Sequence, residues 1–413
     1  MYAITRSVDE VLDATTTAKL DLNDVARGDG TLFVRDGVGV AGRGTAARIA
    51  ADTASDRLAG CEHDSTVESH GPIAIGAVPF RPGTASDLLV PEVVVRKSGV
   101  CPTTITVVGT GPEHARRLLS EAVAWLGSDE STAPPTPTAG SFTIDPAVPI
   151  DRYLAAVATA RDSVRAGDLV KAVIARPITV SSDQPIDVHA VLRRLRASFG
   201  SSYRYSIDGL IGASPELLIE VDGDIVRSHP LAGTAPRTGD AANDAVLAAE
   251  LIASTKNQIE HRVVIDVVHD TLLPWSSYLD WEPEPSIVTV ANVQHLGTRM
   301  EGRLSQPGPS VIELVRALSP TPALGGAPRD EAVALIERVE GFDRGRYGGA
   351  VGWVDARGNG TWAVAIRCAE LSDDRRSARL VAGGGIVADS DPLSELAETQ
   401  AKFQAMLSAI VRP

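Results

Sequence analysis

The segment Gly383–Met406, GGGIVADSDPLSELAETQAKFQAM, carries the most informative pattern in this chain. Three glycines follow a short apolar run, and Asp391-Pro392 then predicts a helix start. Asp can accept hydrogen bonds from the first free helix N–H groups, and Pro fits the first helical position. In the predicted helix, Glu395, Glu398 and Lys402 share one face because they are three and four residues apart.

Two kinds of ligand suit this helix face. Paired carboxylates suit a hard cation such as Mg²⁺, whereas the lysine and a glycine turn with accessible N–H groups suit an anion. The same residues also fit a solvated acidic face with an ion pair between Glu398 and Lys402. The segment alone does not decide between these interpretations, so the choice depends on partners elsewhere in the chain.

The composition describes an acidic, globular chain of 413 residues. Hydrophobic residues make up 44% and charged residues 22%, and the net charge of -14 argues against non-specific nucleic-acid binding. No apolar run approaches the roughly 18 residues that a membrane span needs, and the N-terminus lacks a signal-peptide pattern. The three cysteines are too scattered for a disulfide framework or a metal spacing, so we expect a cytoplasmic protein without membrane or nucleic-acid partners.

The order of predicted elements favours one large α+β fold, with mostly antiparallel sheets flanked by helices, because strands and helices do not alternate regularly. Residues 1–130 have the pattern of short strands and turns. Residues 131–149 begin with STAPPTPTAG and are predicted to be a linker. Residues 150–413 mix helices and strands, with one long helix predicted at 243–273 and one strand at 361–370.

Two ionisable residues, Lys171 and Glu216, stand among apolar neighbours in strand-like segments. An apolar setting disfavours the charged form of each group, so the lysine can serve as a base and the carboxyl group as an acid. Such a pair supports the addition of water at one carbon and the loss of a hydroxyl group, as water, at another. The alternative is a buried ion pair or a lysine that reaches to solvent.

Two further residues could complete a site around the C-terminal helix. Glu260 lies in a predicted helix beside Lys256 and Asn257 and could offer a third carboxylate to the cation, unless this is simply an exposed charged face. Arg367 lies in an apolar strand-like run, where an arginine usually pairs with a carboxylate of the protein or of a ligand. No zinc-protease, Walker, nucleophile-elbow or dinucleotide motif is present.

Eight motifs follow one another from residue 167 onward: GDLVKAVIAR, SPELL, HPLAGTAPR, KNQIEH, PTPALGGAP, FDRGRYGGAVGW, AIRCAE and GGGIVADSDPLSELAETQAKF. Taken together, they resemble one family, the chorismate-utilising enzymes, or anthranilate synthase component I-like superfamily. The loop Leu318–Gly326, LSPTPALGG, is similar to that of the isochorismate synthase branch, and residues 150–413 would form the chorismate-binding catalytic part.

The resemblance implies an isomerase that adds water at C2 of chorismate and removes the C4 hydroxyl group. Lys171 matches the base that activates water, and Glu216 matches the acid that protonates the departing hydroxyl. The Mg²⁺ ligands would be Glu260, Glu398 and Glu395. The residues implied in substrate binding are Arg367, Lys402, Gly383, Gly385, Gly233, Ala323, His295 and Tyr347.

One position departs from the family pattern. Asn257 stands where many members have Asp or Glu, which removes one outer-sphere metal ligand and is expected to weaken Mg²⁺ binding without abolishing activity. The resemblance also implies a monomer without a glutaminase subunit. The alternatives are a salicylate synthase, which also eliminates pyruvate, an amine-transferring relative and a non-catalytic chorismate-binding protein. The loop Pro320–Gly326, PTPALGG, argues against the first alternative, and the Lys171 base argues against the second.

Overall fold

The computed structural model describes residues 1–68, 70–128, 140–290 and 293–412. Its helices alternate irregularly with strands along the chain. In the described residues the α-helices span Val8–Val11, Ala14–Lys19, Leu22–Ala26, Ala54–Ala59, Pro112–Leu126, Ile150–Ala166, Val188–Phe199, Ala241–Ala253, Thr255–Leu272, Val311–Leu318, Arg329–Val339 and Pro392–Val411, with 3₁₀ turns at Ala51–Thr53 and Leu273–Trp275.

The largest sheet of the described residues has 13 strands. The two-residue strand Gly326–Ala327 pairs with the start of Lys171–Ser182, beside the main path. In spatial order the other strands are Phe142–Pro146, Lys171–Ser182, Ser377–Ile386, Cys368–Leu371, Leu210–Ser214, Tyr203–Ile207, Thr31–Arg35, Val38–Arg43, Val93–Lys97, Thr104–Gly109, Tyr2–Ser7 and Glu62–Ser65.

A second sheet has nine strands and a third has three. The nine strands are, in spatial order, Ser276–Trp281, Met300–Leu304, Ile225–His229, Leu217–Asp222, Gly360–Val364, Ala350–Asp355, Ile73–Val78, Asp87–Val90 and Ala47–Ala50. The three-stranded sheet contains Leu231–Pro236, Val293–Gly297 and Ser286–Thr289.

The strands confirm the predicted α+β fold with mostly antiparallel sheets. Among the described residues, the pair Tyr2–Ser7 and Glu62–Ser65 is the only parallel one. Strands from both halves of the chain lie side by side, since Thr31–Arg35 pairs with Tyr203–Ile207. Most of the STAPPTPTAG stretch of the predicted linker lies outside the described residues, and its later part contains the edge strand Phe142–Pro146.

The main apolar core fills the space between the two large sheets. Tyr205 of the 13-stranded sheet and Trp362 of the nine-stranded sheet are both fully buried in it. The outer face of the 13-stranded sheet packs against the helices Val188–Phe199 and Pro392–Val411. In the part of the chain that the structure describes, no helix is long and apolar enough to cross a membrane.

Two element predictions were wrong in a way that matters for the site. The helix predicted at 243–273 is two helices, because Ser254 has an extended backbone and its hydroxyl accepts a hydrogen bond from Asn257 N. The strand predicted at 361–370 is also divided. The chain leaves the nine-stranded sheet after Val364 and enters the 13-stranded sheet at Cys368. Arg367 lies in this crossover with a positive φ of 52°.

The glycine run does not form the turn suggested for it but lies in a strand, in agreement with the strand pattern of residues 378–387. Gly383, Gly384 and Gly385 lie in Ser377–Ile386 and pair with Ala175, Ile174 and Val173. The helix start was predicted correctly. Asp391 caps the helix Pro392–Val411 by accepting from Ser394 N at 2.9 Å, and this C-terminal helix packs across the same strand.

Candidate active site

A cleft of about 270 Å³ lies where the chain passes between the two large sheets. Two crossovers meet there, 214–217 and 364–368, and hydrogen bonds join them from Ala213 N to Arg367 O and from Val364 N to Glu216 O. All thirteen residues that the sequence predicted for the site line this cleft: Lys171, Glu216, Gly233, Glu260, His295, Ala323, Tyr347, Arg367, Gly383, Gly385, Glu395, Glu398 and Lys402.

Lys171 begins the strand Lys171–Ser182 and is almost fully buried. Its Nζ lies 2.6 Å from Oε1 of Glu260, which comes from the helix Thr255–Leu272. The setting is therefore the buried ion pair that the sequence left open as the alternative, because a carboxylate from a distant helix reaches the ammonium group. This ion pair joins the predicted base to one of the predicted metal ligands.

Glu216 lies in the crossover between strands Leu210–Ser214 and Leu217–Asp222, and only 3% of it is exposed. Burial raises the pKa of its carboxyl group to about 8, although a hydrogen bond from Leu231 N and the charge of Lys171 oppose the increase. The prediction that Glu216 keeps its proton at neutral pH agrees with this value. The structure thus provides a protonated carboxyl group on the wall of the cleft.

The acidic residues of the C-terminal helix lie over the glycine run. Glu395 accepts a hydrogen bond from Ser390 Oγ at 2.8 Å, while its Oε2 is buried without a partner among the described residues. A Cβ at Gly384 would lie 2.5 Å from that Oε2. The glycine therefore makes room for the Glu395 carboxylate between strand and helix.

Opposite electrostatic effects act on the two glutamates of this helix. Burial, and then the charge of Glu398, raise the pKa of Glu395 to about 7. Burial also acts to raise the pKa of Glu398, but Lys402, at 2.5 Å, brings it below its ordinary value. Lys402 Nζ also donates to Gly383 O at 2.7 Å, which fixes the ammonium group over the glycine strand.

The predicted metal ligands converge without forming a complete ligand set. Within the described ranges, no three His, Cys, Asp or Glu side chains are grouped so that they could hold a metal ion as they stand. Glu260 is instead paired with Lys171, and Glu398 with Lys402. The donor chemistry nevertheless fits Mg²⁺, because all three groups are carboxylates and Glu395 Oε2 is buried without a partner.

Arg367 supplies a positive charge that no described carboxylate within 4 Å neutralises. Its Nη1 is buried without a hydrogen-bond partner, and its Nη2 donates to Nε2 of His295 at 3.4 Å. A non-glycine residue at positive φ costs on the order of 1 kcal/mol or more. Arg367 has this positive φ, and its guanidinium group lines the cleft.

His295 is held as a neutral ring. Burial, and then the charge of Arg367, lower its pKa to about 3. Its Nδ1 donates to Gly233 O at 3.1 Å, which leaves Nε2 to accept from Arg367. Tyr347, whose pKa burial raises to about 12, lines the cleft as a neutral phenol. Both residues help to shape the wall around Arg367.

A buried ion pair fixes the loop that carries Ala323. Arg344 and Glu340 are almost fully buried and lie 2.5 Å apart. Arg344 donates to Leu324 O and Val173 O, both at 2.7 Å, while Glu340 accepts from Ala175 N at 2.7 Å. The pair thereby ties the Ala323 loop to the strand that begins with Lys171.

Asn257, the departure from the family pattern, lies on the wall of the cleft. Its Nδ2 donates to Ser254 Oγ at 2.9 Å, and its side chain lies against the bulge at Gly233. The cleft also contains residues that the sequence did not single out for a role. These residues are Val173, Pro215, Leu231, Ala232, Thr234, Lys256, Leu324, Ile366, Val381 and Ala382. Most of them adjoin predicted site residues or lie in the quoted motifs, and this position was the signal by which the sequence could have identified them.

Comparisons with known proteins show what this chain is similar to. Residues 46–411 match the protein family described as "Chorismate binding enzyme". The chain is 37% identical over 350 residues to the isochorismate synthase DhbC of Bacillus subtilis, covering 82% of this chain and 81% of that protein. It is 34% identical over 348 residues to the vibriobactin-specific isochorismate synthase of Vibrio cholerae, covering 83% and 80%.

A solved structure shares the fold. MenF, the menaquinone-specific isochorismate synthase from Escherichia coli, superimposes with a TM-score of 0.82 over 99% of this chain and 94% of that chain. The sequences are 24% identical, so this comparison concerns the arrangement of strands and helices alone.

Proposed function

The chain belongs to the chorismate-binding enzyme family, and on that basis we propose that it is an isochorismate synthase. The motifs in the sequence predicted this family, and the match over residues 46–411 confirms it. The substrate would be chorismate and the product isochorismate. The observation that supports this reaction most directly is a buried carboxyl group, Glu216, that keeps its proton in the same cleft as Lys171.

The reaction needs one proton acceptor and one proton donor at separate carbons. Lys171, as the neutral amine, takes a proton from water, and the water oxygen forms a bond to C2 of chorismate. The ring double bonds shift, the C4–O bond breaks, and Glu216 gives its proton to the departing hydroxyl, which leaves as water. Atoms balance, because one water enters and one leaves, so the reaction is an isomerisation.

Lys171 must lose its ionic partner to act as a base. In the structure it is held by Glu260 at 2.6 Å, and the same carboxylate is a proposed Mg²⁺ ligand. If the Glu260 carboxylate bound another partner, the Lys171 amine would be free to accept a proton from water. Glu260, Glu395 and Glu398 would hold Mg²⁺, which when bound supplies positive charge to the substrate carboxylate and offsets the acidic helix.

The substrate is a dianion, and the cleft holds two cationic side chains suited to it. Arg367 has an unpartnered Nη1, which supports a role in binding a carboxylate. Lys402 lies over the glycine strand and can contact a second anionic group. Gly233, Gly383 and Gly385 would let the substrate approach the backbone.

The wider setting follows from the same proposal. The protein would act as a cytoplasmic monomer without a glutaminase subunit, since the proposed nucleophile is water rather than ammonia. The cysteines Cys61, Cys101 and Cys368 are free, which suits a reducing compartment.

Product analysis tests the proposal. The protein is incubated with chorismate and MgCl₂, and the products are followed by NMR for the wild type, Lys171→Ala and, as a matched control, the exposed Lys19→Ala. We expect isochorismate from the wild type and the control, and none from Lys171→Ala. Salicylate with pyruvate as the direct main products, or turnover with ammonia alone, would overturn the proposal. Unchanged turnover in Lys171→Ala would refute the role of that residue.

A further inference from the structure

A second cavity, of about 350 Å³, lies on the outer face of the 13-stranded sheet. It is enclosed by the strand Tyr203–Ile207, the helix Leu22–Ala26 and the end of the helix Val188–Phe199. None of its lining residues belongs to the chorismate cleft. The residues that line it are Asp21, Leu22, Asn23, Val34, Asp36, Gly37, Lys97, Arg196, Gly200 and Arg204.

One of the residues that line this cavity is a buried arginine. Arg204 is only 2% exposed, and its Nη1 donates at 2.7 Å to the neutral side chain of Asn23. Its Nε is buried without a partner, and its Nη2 donates to no described residue. Burial lowers the pKa of Arg204 to about 10, so it is still charged at neutral pH. A buried charge is normally paired or fully hydrogen-bonded, and this one is neither.

The acidic residues nearby are already engaged. Asp21 accepts from both the backbone N and the Nδ2 of Asn23, and it forms an ion pair with Arg196. The side chain of Asp36 is 64% exposed, and its Oδ2 lies 3.6 Å from Arg35 Nε. Neither carboxylate lies within 4 Å of the Arg204 guanidinium group.

Two more cationic side chains line the cavity. Arg196 remains 53% exposed in its pair with Asp21, and Lys97 holds its ammonium group against Leu20 O, a neutral partner. Three cationic side chains therefore line the cavity against two acidic ones. The excess is positive although the whole chain carries a net charge of -14.

We propose that this cavity is a binding site for a small oxyanion, a phosphate or a carboxylate, held by Arg204 with Arg196 and Lys97. A guanidinium group with an unpartnered Nε–H and Nη2 can bind two oxygens of one anion in parallel. The ligand would supply the negative charge that Arg204 lacks. The site is independent of the chorismate cleft and of the function proposed for it.

Calorimetry distinguishes this site from the cleft. Inorganic phosphate, and in a parallel series succinate, is titrated into the full chain at pH 7 and constant ionic strength without Mg²⁺. The variants are Arg204→Met, Arg204→Lys, Arg196→Gln and Lys402→Gln, the last one weakening anion binding in the cleft. Circular dichroism reports whether each variant is folded.

We expect saturable binding of at least one anion, weakened at least about 10-fold by Arg204→Met and several-fold by Arg196→Gln, and unchanged by Lys402→Gln. If Arg204→Met does not fold, Arg204→Lys, which keeps the charge and loses the planar fork, must show the loss. Phosphate binding alone or succinate binding alone identifies the class of anion. Three results would each overturn the proposal. These are the absence of saturable binding of either anion, binding by the Arg204 variants that equals binding by the wild type, and loss of binding in Lys402→Gln.

Discussion

The substitution Glu216→Gln tests the contribution of the buried acid without altering the other groups of the cleft. The wild-type carboxyl group is buried and has a pKa of about 8, whereas the glutamine amide does not ionise in the same range. The amide oxygen can still accept the hydrogen bond from Leu231 N, which is 3.4 Å long in the wild type. The substitution therefore removes proton binding at this position with little change in shape.

The size of the effect follows from the pKa difference. The carboxyl group ionises near 4.5 when exposed and near 8 when folded, a difference of about 3.5 pH units. Each pH unit corresponds to about 1.36 kcal/mol. As the pH rises from below the lower pKa to above the higher one, this group should therefore reduce the free energy of unfolding of the wild type by up to about 5 kcal/mol. The sign is set by proton binding. Between these pH values the folded state holds the proton and the unfolded state does not, so stability is lost as the pH rises.

The measurement compares urea unfolding of Glu216→Gln and the wild type from pH 5 to pH 9. The variant should gain stability relative to the wild type across this range, by up to about 5 kcal/mol at the alkaline end. Glu220→Gln is the matched control, since Glu220 lies on the following strand, pairs with Arg227 at 3.1 Å and is partly exposed. Its stability difference from the wild type should not follow the same rise.

Two results would refute the reasoning about Glu216. A stability difference that is constant from pH 5 to pH 9 would show that the carboxyl group ionises normally. A variant that keeps full turnover of chorismate would show that this proton is not used. In the wild type, turnover should instead decline as the pH rises through about 8, because the acid form is lost.

Two further substitutions test the packing around the cleft. Arg344→Met leaves Glu340 buried without its charge partner, so thermal or urea unfolding should show a loss of about 3–5 kcal/mol, whereas the exposed Arg338→Met should be near neutral; equal stabilities would contradict the importance of the pair. Gly384→Ala places a Cβ 2.5 Å from Glu395 Oε2 and should weaken Mg²⁺ binding, measured by calorimetry, by roughly 10-fold or more. Gly99→Ala, which meets open space, is the control, and equal Mg²⁺ affinity in both variants would contradict the placement of Glu395.

Local sequence signals predicted the individual parts of the site well. The Asp391 cap and the spacing of Glu395, Glu398 and Lys402 depend on neighbours within one helix, so they can be read from a short stretch. The acid form of Glu216 followed from the apolar neighbours in its own short segment of sequence. The family resemblance, rather than spacing, linked these parts to Lys171 and Glu260.

Features that depend on distant contacts were not predictable in the same way. The pairing of Lys171 with Glu260 joins residues 89 positions apart, so nothing in either segment announces it. The glycine run was interpreted as a turn because the reason for glycine at position 384 is not visible in the segment itself. That reason is the carboxylate of Glu395, which lies over the strand and comes from another element. The kink at Arg367 arises because the chain changes sheets there, which is a property of the whole fold.

The position of the Lys171 strand also has a consequence for synthesis of the protein. This strand ends at Ser182, yet its neighbour Ser377–Ile386 and the helix Pro392–Val411 come almost 200 residues later. At roughly 5–20 residues per second, the ribosome needs on the order of 10 to 40 s to make the missing partner. During that interval one edge of the Lys171 strand is unpaired and open to wrong partners. A nascent chain should therefore need chaperones to protect this strand for as long as its partner is missing.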